Sequence, residues 1–104
     1  MPTRVVVAED EAIIRMDLRE LLQEEGYEVV AECGRGDEAV ELVREHAPDV
    51  ALLDIKMPGL DGISAAREIA SERLTAVVLV TAFSQRELIE EASDAGVQGY
   101  VVKP

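Results

Sequence analysis

The 104-residue sequence predicts an α/β domain, a doubly wound sheet of five parallel strands with helices in the crossovers. Three observations predict it. Residues 5–8, 50–53 and 77–80 are unbroken apolar runs rich in Val and Leu, the pattern of strands covered on both faces. Amphipathic stretches of helical period separate them. Parallel strands joined through helices take right-handed crossovers, which wind such a chain into an open sheet.

The elements alternate from strand to helix, beginning with the strand at 5–8. In the first helix Ile14, Leu18, Leu21 and Leu22 form an inward stripe, and Gly26 stands at a C-terminal cap position. Residues 27–32 are more mixed and read as an edge strand. In the second helix Asp37 is placed to cap, Val40, Val43 and Ala47 face inward, and Pro48 stops the turn. The third helix begins near Gly62 and carries Ile63, Ala66 and Ala70 on one side. The fourth opens with Ser84-Gln85-Arg86-Glu87, a capping-box spacing, and closes at Gly96. Residues 98–102 form the fifth strand, at the other edge. The chain stops at Lys103-Pro104, directly after that strand, where a sheet covered on both faces needs one more helix. The expectation is one domain, residues 1–104, lacking its final helix.

Composition removes several classes of function. Ten Lys and Arg against 22 Asp and Glu give a net charge of −12. With 48% hydrophobic residues the chain is no disordered acidic tail. Its acidity opposes direct contact with nucleic acid or an anionic membrane and suits a cation site or basic partners. The lone Cys33 excludes an intrachain disulfide and fits a reducing cytoplasm. No apolar run approaches the roughly 20 residues of a membrane span, and the first residues have no signal-peptide pattern.

Ligands of doubly wound sheets bind beyond the carboxyl ends of the strands, near the switch in strand order. The first strand ends at Glu9-Asp10, the third at Asp54, the fourth at Thr81 and the fifth at Lys103. In the order 2-1-3-4-5 the first and third strands are neighbours, so Asp10 and Asp54 meet although far apart in sequence. Clustered carboxylates resist ionisation unless a cation compensates. Mg²⁺ takes one or two carboxylates and fills its octahedral shell with water and phosphate oxygens. Asp10 and Asp54 suit that need, with Glu9 acting through a water. Lys103 brings a fixed positive charge and Thr81 a hydroxyl donor. Such a ring around one carboxylate makes a site for a phosphoryl group on it, with Asp54 as nucleophile. Each residue also has a plainer reading. Glu9, Asp10 and Glu11 suit the N-terminus of the first helix. Asp61-Gly62 suits a turn and cap. Thr81 and Lys103 suit a strand end and a surface charge, and Tyr100 suits core packing. Only their shared location at one sheet edge favours a site.

Four pieces carry a family resemblance. They are Val-Ala-Glu-Asp-Glu at the end of the first strand, Leu-Asp-Ile-Lys-Met-Pro-Gly-Leu-Asp-Gly around Asp54, Leu-Val-Thr-Ala-Phe-Ser, and Gly-Val-Gln-Gly-Tyr-Val-Val-Lys-Pro at the end. With these in register, the chain resembles the receiver domain of bacterial two-component response regulators over its whole length. The resemblance implies a flavodoxin-like fold and phosphorylation of Asp54 by a histidine kinase. It implies an acidic pocket of Glu9 and Asp10, with Mg²⁺ held by Asp10, Asp54 and the carbonyl of Lys56. It implies that Thr81 and Tyr100 are a switch pair, that Lys103 contacts the phosphoryl group, and that the Lys103–Pro104 peptide is cis. Many members have Asp where this chain has Glu9, a longer arm. A receiver promotes its own phosphorylation and dephosphorylation and is not a turnover enzyme on a separate substrate. The opening Glu-Asp-Glu-Ala-Ile-Ile-Arg-Met-Asp-Leu and the stretch Ala-Phe-Ser-Gln-Arg are similar to regulators with an RNA-binding antitermination (ANTAR) output domain, here expected beyond residue 104. Homodimer formation is a further expectation. The alternative is a pseudo-receiver, an interaction module without phosphoryl transfer. A phosphotransferase with an Asp nucleophile is disfavoured, because such enzymes carry a second Asp where Lys56 stands.

Overall fold

The structure, a computed structural model, describes residues 2–72, 75–81 and 86–102, with the backbone alone at 81, 86–89 and 102. Its elements are β1 (Arg4–Ala8), α1 (Ala12–Glu24), β2 (Glu28–Cys33), α2 (Gly36–His46), β3 (Val50–Asp54), α3 (Gly62–Ser71), β4 (Ala76–Thr81), α4 (Arg86–Asp94) and β5 (Gly99–Val102). All strand pairs are parallel and the sheet order is β2-β1-β3-β4-β5. This is the doubly wound, flavodoxin-like sheet that the apolar runs predict. No helix follows β5 among the described residues.

Strand alternation divides the apolar residues between two faces. Val6, Ala8, Ala51, Leu53, Val77 and Leu79 face the main core, where they meet Val40 and Val43 of α2, Ile63, Ala66 and Ile69 of α3, and Ala92 of α4. Val5, Val7 and Val80, of opposite parity, are buried outside that cluster, on the side of α1. α1 packs on β1 and β2 through half-buried Ile14, Leu18 and Leu22 and buries no residue fully. Leu21 corrects its expected inward place, being 55% exposed. Among the described residues α1 packs chiefly on β1 and β2, and Leu21 falls outside that contact. Ile13, at 73% exposed, and Val101 of β5 are open as well.

The helix ends follow from local chemistry. Past α1, the Gly26 amide donates to the Gln23 carbonyl at 3.1 Å and the Tyr27 amide to the Leu22 carbonyl at 2.9 Å. Gly26 takes φ +90°, the left-handed geometry that such a closure needs. The Tyr27 amide is thereby used up, so β2 starts at Glu28, one residue later than its composition indicates. Asp37 does not cap α2. The N-cap is Arg35, and Asp37 sits in the first turn, where its carboxylate accepts from the Arg35 guanidinium at 3.1 Å. Ala47 does not face inward either: it is the exposed C-cap at φ 45°. Pro48 bars the residue before it from helical geometry. Asp61 caps α3, its carboxylate accepting from the Ser64 amide at 2.9 Å. Ala70 is half-buried while Ile63 and Ala66 are buried as expected. Gly96 follows α4 at φ +89°. The capping spacing at Ser84 and Gln85 lies outside the described residues.

The amino edge of the sheet is fastened by Arg4. Its guanidinium donates to the His46 carbonyl at 2.8 Å and the Ala47 carbonyl at 3.3 Å, satisfying acceptors that the end of α2 leaves open. Its amide donates to the Asp49 carboxylate at 2.8 Å, and Asp49 returns its own amide to the Arg4 carbonyl at 2.9 Å. Nearby, the Thr75 hydroxyl donates to the Pro48 carbonyl at 2.9 Å.

Candidate functional site

Adjacent strands β1 and β3 run in register, Ala8 beside Leu53, so the residues that follow them emerge side by side at the carboxyl edge. Glu9, Asp10 and Asp54 converge there. Each offers a carboxylate oxygen within 4.8 Å of the others'. Glu9 is fully buried, Asp54 is 6% exposed and Asp10 faces solvent. Three acids in so small a space repel one another, and all offer hard oxygen donors. That combination fits Mg²⁺ with water completing the shell and does not fit a soft metal.

The turn carrying Glu9 and Asp10 is pinned from several sides. The Glu9 amide donates to the Cys33 carbonyl at the end of β2, 2.9 Å away. The Glu11 amide donates to the Glu9 carboxylate at 3.2 Å. The Arg15 guanidinium, one turn into α1, donates to the Glu9 carbonyl at 2.7 Å. Sequence reading missed Arg15 and the Cys33 carbonyl. Arg15 lies on the polar flank of an amphipathic helix, where spacing rules see a solvated charge, and a backbone carbonyl leaves no mark in sequence. Cys33 itself is buried, and burial pushes its thiol up from the ordinary value.

Past Asp54, residues 56–61 loop toward α2. The Gly62 amide donates to the Ile55 carbonyl at 2.8 Å, and a Cβ at Gly62 would strike the Asp54 carbonyl. A Cβ at Gly36 would likewise strike the Leu60 carbonyl. Two glycines thus let the loop lie flat between β3 and the start of α2. Lys56 opens this loop, exposed, two residues after Asp54.

Thr81 ends β4, one residue past Val80, the partner of Asp54 in the sheet. Its backbone is therefore at the same edge; its side chain lies outside the described residues. Val102 pairs with Thr81. Lys103 and Pro104, with the peptide joining them, lie outside the described residues. Tyr100 pairs with Leu79 and is 44% exposed, so it is not core packing.

Comparisons with known proteins agree with this layout. A family model for the response regulator receiver domain matches residues 5–104. The chain belongs to that family. It is 61% identical over 104 residues to the transcriptional regulatory protein PdtaR of Mycobacterium tuberculosis, covering all of this chain and 51% of that protein. It is 37% identical over 105 residues to the chemotaxis protein CheY of Bacillus subtilis, covering all of this chain and 88% of that one. The chain spans about half the length of the PdtaR proteins it matches. Among solved structures, the NarL signal receiver domain of M. tuberculosis superposes with a TM-score of 0.91 at 37% identity, covering 97% of this chain and 83% of that chain. The CheX–CheY–BeF3–Mg²⁺ complex of Borrelia burgdorferi gives 0.93 at 25% identity, covering 100% and 80%.

Proposed function

We propose that this receiver is a phosphorylation-dependent switch in which Asp54 accepts a phosphoryl group from a histidine kinase. The observation that carries the reading is the convergence of the Glu9, Asp10 and Asp54 oxygens within 4.8 Å at the carboxyl edge. A carboxylate oxygen of Asp54 attacks phosphorus as the P–N bond to the kinase imidazole breaks. The imidazole leaves with the bonding pair, and Asp54 carries an acyl phosphate. Asp10, Asp54 and the Lys56 carbonyl would hold Mg²⁺, with Glu9 acting through a water. When bound, the ion neutralises charge on the transferring group. That the similar Borrelia CheY is in a complex with BeF3 and Mg²⁺ supports this assignment. The Lys103 ammonium adds a second positive charge against the phosphoryl oxygens.

The acyl phosphate brings new acceptor oxygens. The Thr81 hydroxyl moves to donate to one of them, and Tyr100 follows into the space left, shifting the surface of α4 and β5 between two packings. An exposed Tyr100 has room for that motion. The surface controls an output domain beyond residue 104, an RNA-binding antitermination (ANTAR) domain. The length of PdtaR and its name as a transcriptional regulatory protein support a further domain with a role in transcription. Membership of the receiver family supports a cytoplasmic setting.

The test is labelling by a radioactive phosphohistidine kinase or a small phosphodonor, with and without a chelator. Wild type should gain acid-stable, base-labile label only with Mg²⁺, and Asp54→Asn should gain none. Undiminished labelling of Asp54→Asn overturns the assignment.

A further inference from the structure

We infer that Arg15 is a positioning residue for the acidic cluster, setting its Mg²⁺ affinity from outside the ligand shell. The inference rests on the reading of Glu9, Asp10 and Asp54 as the Mg²⁺ site. Glu9 is fully buried, and its carboxylate lies within 4.8 Å of the Asp10 and Asp54 oxygens that would take the ion. What fixes the backbone of Glu9 therefore fixes the site. Two bonds do so from opposite sides: its amide to the Cys33 carbonyl at 2.9 Å, and its carbonyl from the Arg15 guanidinium at 2.7 Å.

The second bond is charge-assisted and short, the stronger class. It ties the β1–α1 turn to the body of α1, so the peptide between Glu9 and Asp10 cannot rotate without breaking it. The site also makes room for the guanidinium. A Cβ at Gly34 would sit 3.0 Å from Arg15 Nη1, 3.4 Å from the Asp10 Cα and 3.6 Å from the Glu9 carbonyl oxygen. Gly34, Arg15 and the Asp10 backbone are thus one packed unit behind the carboxylates. Arg15 touches no reacting atom. Its cation alone would oppose a second cation, so positioning and charge act in opposite directions, and the sign of the effect separates them.

The experiment is calorimetric titration of Mg²⁺ into the full-length protein, with far-UV circular dichroism confirming folding at each titration temperature. Partners of metal ligands typically set affinity by about tenfold or more, so Arg15→Met should bind Mg²⁺ about tenfold more weakly. Arg15→Lys, which keeps a donor on a flexible stem, should recover part of the loss. Gly34→Ala, which displaces the guanidinium without removing it, should weaken binding in the same direction. A folded Arg15→Met that binds as wild type, or more tightly, overturns the inference. If Arg15→Met does not fold, wild-type affinity in Gly34→Ala and Arg15→Lys overturns it instead. Wild type that fails to bind Mg²⁺ saturably sinks the metal site itself, and the inference with it.

Discussion

Gly36 lies directly under the Leu60 carbonyl, leaving no space for even a methyl group between the first turn of α2 and the loop that follows Asp54. The loop bearing Lys56 therefore rests on α2 as on a bearing surface. Gly36→Ala must push it away. Overpacking of this kind costs about 1–3 kcal/mol, and chemical denaturation of the variant should show a loss in that range. Mg²⁺ affinity should fall with it, because the displaced loop carries the Lys56 carbonyl. Wild-type stability would show that the contact is slack.

Thr81→Ala separates acceptance from response. It leaves the three carboxylates untouched, so Asp54 should still be labelled. The change in hydrogen-exchange protection over α4 and β5 on phosphorylation should disappear. If that change persists, the Thr81 hydroxyl is not the relay.

Ala47 holds a left-handed backbone at φ 45° without being glycine. That conformation costs an L-residue roughly 1–2 kcal/mol, and glycine gives back about 0.5–1 of it through its freer unfolded chain. Ala47→Gly should thus stabilise the domain by about 0.5 kcal/mol, a rise in Tm of about 2–4 °C. A fall in Tm would mean that the Ala47 methyl packs more usefully than its exposure indicates.

The ion pair joining α2 to α3 makes stability depend on pH. The Arg44 guanidinium donates to Glu72 at 2.8 Å and holds that carboxyl below its usual range, chiefly by hydrogen bonding. A carboxyl depressed on folding binds fewer protons folded than unfolded, so its contribution is complete above the unfolded value, about 4.3, and is lost as pH falls through the folded one. Asp37, depressed by its hydrogen bond to Arg35, has the same sign. Glu72→Gln should flatten the acid limb of a stability–pH curve by lowering stability slightly at neutral pH and leaving it unchanged in acid, where wild-type Glu72 is already protonated. An unchanged acid limb would show that the exposed pair is fully screened.

Much of this was legible in the sequence because strands buried on both faces leave a strong mark. Val5 to Ala8 and Val77 to Val80 announced their strands, and topology then brought Asp10 and Asp54 together. Helix ends were less readable. Asp37 looks like a cap, but the first turn of α2 is set by the loop packed on Gly36, and Arg35 takes the cap position. Leu21 fits the helical stripe by period, yet period cannot tell which flank of the stripe has a neighbour. Arg15 was invisible for a related reason: its partner is a backbone carbonyl, and every residue has one of those.

The Arg4 clamp on Asp49, His46 and Ala47 gives the molecule a stationary heel. That heel lies at the amino ends of β1 and β3, and the acidic crater lies at their carboxyl ends. The two strands that carry the crater are thus braced at the end remote from it, which leaves the bracing contacts clear of the site.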